Sequence, residues 1–229
     1  MNKRVAIAQS NYIPWRGYFD LIDSVDELIL YDDMQYNRRA WRNRNLIKSP
    51  AGLIWLTIPV QVKGKYFQKI KDTVVVDCSW ARDHWQSILH NYSKAKYFSD
   101  YRELFEELYS HPDTFLSQIN YHFIVAICRV LGIKTTISSS MDYHLAGDKT
   151  EMLVNLCKQA GASNYITGPA AKAFINEDLF QQENISVAYM DYSGYREYRQ
   201  LYPPFQSHIS IIDLIFNEGP DAARYMKSF

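Results

Sequence analysis

The order of elements in the first thirty or so residues constrains this chain most. An apolar run, VAIA, ends at Ala8. A polar, aromatic loop from Gln9 to Arg16 follows, then a helix-like pattern over 16–24 with Phe19 and Ile22 on its apolar side. A second apolar run, ELILY, begins at Glu27. Two strands joined through a helix need a crossover rather than a tight turn, so the spacing predicts a βαβ unit and a parallel strand pair. A parallel pair is stable when helices cover both faces, which points to an α/β fold with a mostly parallel sheet.

The rest of the chain extends this reading. Residues 53–60, LIWLTIPV, read as a buried strand and 73–77 as a short one. Helical spacing dominates over 81–92, 101–109 and 114–131, with Gly132 as a C-cap and Pro112 near the start of the third helix. This is a helical block around residues 80–131. Alternation then returns: strand 134–138, helix 149–160 capped by Gly161, strand 165–167, strand 186–189 and a last helix over 210–216. Ser210 is its N-cap, and Asn217-Glu218-Gly219-Pro220 stops it. No repeat or linker interrupts the 229 residues, and the expectation is one α/β domain over 1–229.

Composition removes several function classes. Lys plus Arg total 25 and Asp plus Glu total 25, so the chain is not a globally basic nucleic-acid binder, although a local basic patch is allowed. No apolar run is long enough to span a membrane, and the N-terminal run is too short for a signal peptide, so a cytoplasmic protein is expected. Cys78, Cys128 and Cys157 form no C-x-x-C pair and read as small apolar residues. The 18 tyrosines and five tryptophans serve a core, and beside glycine and arginine they also suit a sugar or nucleotide pocket.

Ligands of parallel sheets bind beyond the carboxyl ends of the strands. The loop from Gln9, the turn at Asp32-Asp33, Ser138-Ser139-Ser140 and Thr167-Gly168-Pro169 all lie at such ends, so they are expected to converge on one site. Gln9 and Asn11 supply amide groups, with Tyr12 and Tyr18 beside them. Gly17 either admits a ligand phosphate to the helix N-terminus or relieves crowding. Asp33, or its neighbour Asp32, is a candidate general base or amine-binding carboxylate, or else a turn cap. Gln35 and Tyr36 follow it. A single Asp-Asp pair gives no reason to expect a metal.

Arg38, Arg39, Arg42 and Arg44, interleaved with Tyr36 and Trp41, are the anion-binding candidates, since guanidinium groups grip phosphates in pairs of hydrogen bonds. The same pattern suits a tRNA acceptor end or a solvated charge run. His84 and His90, six apart, lack metal-ligand spacing. His90 and His208 are candidate bases near neutral pH, or structural histidines. Ser139 and its neighbours offer hydroxyls to an anion, and Thr167 and Gly168 form a strand-end turn. No P-loop, G-x-G-x-x-G or G-x-S-x-G occurs, which disfavours covalent acyl-enzyme chemistry.

Two resemblances rest on these residues. P-x-x-G-Y (14–18) after a first strand, then a helix and ELILYDD, resembles the start of nucleotidyltransferase-type HUP domains. Trp15 and Tyr18 stand where that motif has its histidines, so the likeness is one of fold and leaves ATP activation open. The second resemblance covers almost the whole chain. IAQSNYIPWRGYFDLI (7–22), YDDMQYNRRAWRNRN (31–45), WLTIPV (55–60), HNYSKAKYF (90–98), NLCKQAGASNYITG (155–168) and HISIIDLIFNEG (208–219) are similar to the WbqC-like family.

That resemblance implies a role in bacterial O-antigen assembly: a transferase placing glycine or a related acyl group on the amine of a nucleotide-linked amino sugar. The donor is left open among an adenylate made from ATP, an aminoacyl-tRNA and an acyl thioester. The other reading is a non-catalytic nucleotide-sugar or RNA-binding module that works with a partner enzyme.

Overall fold

The computed structural model describes residues 2–110 and 113–229; Pro112 lies outside them. Five strands make one sheet: β1 (Arg4–Ala8), β2 (Glu27–Leu30), β5 (Thr136–Ser139), β6 (Asn164–Thr167) and β7 (Ser186–Tyr189). Their order across the sheet is β5-β2-β1-β6-β7. All four pairings are parallel, with Ile7 opposite Ile29 and Val5 opposite Tyr165. The helices between them are α1 (Arg16–Asp23), α4 (Leu116–Leu131), α5 (Lys149–Gln159) and α6 (Glu177–Gln182).

Alternation along β1 sorts the layers. Ala6, with Leu28 and Leu30 of β2, faces α1 and α4 in the larger core. Val5 and Ile7, with Ile29, face the opposite way onto Val154, Leu156 and Cys157 of α5 and Phe180 of α6. The chain thus winds outward from β1 in one direction on one face, then in the other direction on the other face. The order reverses between β1 and β6, where doubly wound sheets open a crevice.

Between β2 and α4 the chain inserts a two-stranded antiparallel ribbon, β3 (Arg44–Ser49) with β4 (Gly52–Thr57), and two helices, α2 (Ser79–Tyr92) and α3 (Phe98–Ser110). This corrects two expectations. The run at 53–60 is not a buried sheet strand: within β4 only Leu56 is buried, and Leu53 and Trp55 are each 43% exposed. Its partner hides in the polar stretch RNLIKS. Residues 73–77 make only isolated bridges, Val75 to Val60 and Val74 to Phe115.

The expected caps are present. Gly132 closes α4 at φ 76°, and Ser210 accepts from Ile212 N–H at the start of α7 (Ile211–Glu218). In α7, Asp213 is fully buried and accepts from Tyr92 Oη at 2.9 Å and Tyr198 Oη at 2.7 Å. Burial raises its carboxyl above the usual range, and the two hydroxyls satisfy it. Among the described residues no helix is long and apolar enough to cross a membrane.

Candidate functional site

The parallel sheet brings the loops after β1, β2, β5 and β6 to one edge. The loop after β1 is pinned from below. Tyr12 N–H donates to Trp41 C=O at 3.1 Å, and Asn45 Nδ2 donates to Tyr12 C=O at 3.1 Å and Ile13 C=O at 2.8 Å. Ser10 N–H donates to Asp32 Oδ1 at 2.8 Å. Asn120 Nδ2 reaches Ser10 Oγ at 3.0 Å and Arg42 C=O at 2.9 Å. These bonds hold the loop in one conformation, which is the preorganisation a binding site needs.

Above the pinned loop lies a cavity of about 200 Å³ lined by Asn11, Pro14, Trp15, Trp41, Asn45 and His208. A neighbouring hollow of about 420 Å³ shares Trp15 and His208 and adds Tyr192, Tyr195 and Phe205. Trp15 stands between the two, with His208 at 4.7 Å between ring centroids, Tyr192 at 5.3 Å and Tyr195 at 5.6 Å. His208 Nδ1 shares a 2.7 Å hydrogen bond with Ser207 Oγ, which orients the imidazole. Arg42 Nη1 donates to Asn11 Oδ1 at the cavity edge.

A third cavity, about 240 Å³, opens at the ends of β2 and β5. It is lined by Asp32, Ser138, Ser139 and Asp142, with Ser117, Gln118 and Tyr121 of α4 opposite. Asp32 is 4% exposed. Burial raises its carboxyl above the ordinary range, against hydrogen bonds from Ser10 and the attraction of Arg42. Burial also lowers the Arg42 guanidinium, which Tyr18 and Asp32 partly offset. Arg42 therefore lies electrically between Asn11 of one cavity and Asp32 of the other.

Asn11, Trp41 and His208 line one cavity, and Ser139 lines the one that holds Asp32. Arg42 adjoins both. Tyr18 Oη donates to Gln9 C=O at 3.0 Å, which supports the loop from beneath. Thr167 and Gly168 end β6; a Cβ at Gly168 would sit 3.8 Å from Tyr192, which in turn packs on Trp15.

Other candidates sit elsewhere. Tyr12 is fully buried, its hydroxyl between His84 Nδ1 at 2.9 Å and Tyr109 Oη at 2.6 Å. The space beside Gly17 is filled by the Trp15 indole, so the glycine here admits a ring. Asp33 is held by Lys69 at 2.9 Å, Lys71 at 2.7 Å and Ser140 Oγ at 3.0 Å. Burial pushes its carboxyl up, but those donors outweigh it and hold the group below the usual range. Gln35 donates to Tyr66 C=O at 2.8 Å, and both Gln35 and Tyr36 line a separate hollow near Arg38.

The arginines disperse. Arg38 and Arg39 are exposed, and Arg44 lies over the Trp55 ring at 4.1 Å. His90 is exposed in the last turn of α2 and lines none of these cavities. The sequence reading passed over Asn45, Tyr192 and Tyr195 and set Asp32 second to Asp33. The tyrosines belong to the irregular stretch after β7, where no periodicity marks them.

The profile of the WbqC-like protein family matches residues 9–225. A Mycobacterium tuberculosis protein, the uncharacterised Rv1507c, is 50% identical over 226 residues, covering 98% of each chain. No solved structure matches the chain.

Proposed function

The chain belongs to the WbqC-like protein family, and from that premise we propose that it transfers an amino acid, glycine or a related acyl group to the amine of a nucleotide-linked amino sugar. The sugar lies along the wall of Trp15, Trp41 and His208, whose ring faces suit the C–H face of a pyranose or a base. Arg42, with Asn11, meets the anionic part of the ligand. The acyl donor's small polar group enters the cavity at the ends of β2 and β5, where Asp32 takes the place first expected of Asp33 and holds an ammonium.

The sugar amine attacks the activated acyl carbon. His208 accepts the proton that the amine sheds, and the donor's leaving group departs with the bonding pair. The Asn11 amide N–H lies near the developing oxyanion. One observation supports this reading above the others: His208, more than half the chain away from the β1 loop, packs against that loop's Trp15 where two cavities meet.

The test incubates purified protein with a UDP- or dTDP-linked amino sugar and one of three donors: glycine with ATP, glycyl-tRNA or a glycyl thioester. Mass spectrometry of the sugar is expected to show the glycyl adduct with one donor. Binding of the sugar without transfer from any donor would instead assign the chain as a non-catalytic module.

A further inference from the structure

The loop 61–71 is not used by the site above. Its sequence, QVKGKYFQKIK, carries Lys63, Lys65, Lys69 and Lys71 and no acidic residue. At its tip Tyr66 is 76% exposed and Phe67 is 82% exposed. The two rings meet edge to face, with centroids 4.9 Å apart and planes at 89°. Leaving two adjacent aromatic side chains in water is unfavourable, and such patches mark contact surfaces.

The loop holds its rings out on a firm base. Ile70 is fully buried, and its N–H donates to Met34 C=O at 2.9 Å. Tyr36 N–H donates to Gln68 C=O at 2.9 Å, and Gln68 Nε2 donates to Gln61 C=O at 2.8 Å. Lys69 and Lys71 are spent on Asp33. Among the described residues Lys63, Lys65 and Arg38 make no ion pair; all three are exposed, and Arg38 borders the same hollow as Lys65 and Tyr66. A chain of zero net charge therefore concentrates uncompensated positive charge beside an apolar knob.

We propose that the Tyr66–Phe67 tip, with Lys63, Lys65 and Arg38 around it, is a docking surface for an anionic phospholipid bilayer. Aromatic rings favour the interfacial layer of a bilayer, and neighbouring cations are drawn to its negative surface. The shape argues against single-stranded nucleic acid as the occupant. A base stacks on a ring face set in a cationic groove; Tyr66 borders the hollow of Lys65 and Arg38, but Phe67, the more exposed ring, does not line it and meets Tyr66 edge to face. The proposal is independent of the acyl-transfer reading, because the surface lies outside the residues that reading uses.

The test is co-sedimentation of the full chain with vesicles of phosphatidylcholine alone and of phosphatidylcholine containing about one third phosphatidylglycerol. Binding is expected to the anionic vesicles only, and to fall when salt rises from about 0.1 M to about 0.5 M. Replacing both rings (Tyr66→Ser with Phe67→Ser) lowers partitioning at least about tenfold. Lys63→Ala with Lys65→Ala lowers it about 25-fold, at roughly fivefold per lysine. Both pairs are exposed, so melting temperatures stay at the wild-type value, and no substrate is needed. Equal binding to both vesicle types, wild-type partitioning by both double variants, or binding of oligouridylate without binding of vesicles would overturn the proposal.

Discussion

The imidazole of His208 lies against the indole of Trp15, with ring centroids 4.7 Å apart and planes at 33°. The contact ties the turn before α7 to the loop after β1 and fixes where the histidine's free nitrogen stands. His208→Phe keeps a ring against Trp15 but removes the titratable nitrogen. It is expected to retain nucleotide-sugar binding and to lose about 10²–10⁴-fold in transfer rate, measured by single-turnover kinetics. Equal losses in binding and rate would assign His208 to packing alone.

Arg42 joins the two cavities through Asn11 and the field of Asp32. Arg42→Ala removes a charged donor and is expected to weaken nucleotide-sugar binding by about 1–3 kcal/mol. Calorimetry against the same sugar reads this directly, and unchanged affinity would remove Arg42 from the anion site.

Asp32 carries a carboxyl raised by burial. A raised carboxyl contributes stability below its unfolded value that is lost as pH climbs through the folded one. At neutral pH Asp32→Asn is therefore expected to raise the melting temperature, with the gain fading towards pH 4, while transfer falls at least about a hundredfold. Melts at three pH values alongside the transfer assay check both parts. A destabilised Asn variant would mean that the charge supports the fold rather than a ligand.

His84 has a different role from the other histidines. Burial lowers its pKa from 6.5 to about 4. Between those values the unfolded chain takes up a proton that the folded chain does not, so stability falls as pH falls through this window. The loss is on the order of 3 kcal/mol once both states are protonated. Urea denaturation at pH 7, 5.5 and 4.5 would show it, and His84→Gln is expected to flatten that part of the profile. An unchanged profile would place another group behind the acid sensitivity.

Much of the fold is legible in the apolar runs. Val5, Ala6 and Ile7 alternate between two cores, and the spacing to ELIL sets the parallel register. The β3 strand is not legible because its pairing residues, Arg44, Asn45, Lys48 and Ser49, read as a polar loop, and three of them are buried by contacts distant in sequence. Lys69 and Lys71, which no local pattern links to the aspartates, pair with Asp33, whereas Asp32 lines a cavity. His84 was within reach: Trp80, His84, Ile88 and Tyr92 recur every four residues and are all buried on one face of α2. That spacing marks His84 as the core histidine and leaves His90 outside.

Calorimetric titration of the purified wild-type chain with a nucleotide-linked amino sugar, repeated on Trp15→Ala and Arg42→Ala, tests the shared hollow most directly. One-site binding weakened by both substitutions is the predicted result. No binding to any UDP- or dTDP-linked amino sugar, or binding that neither substitution alters, would contradict it.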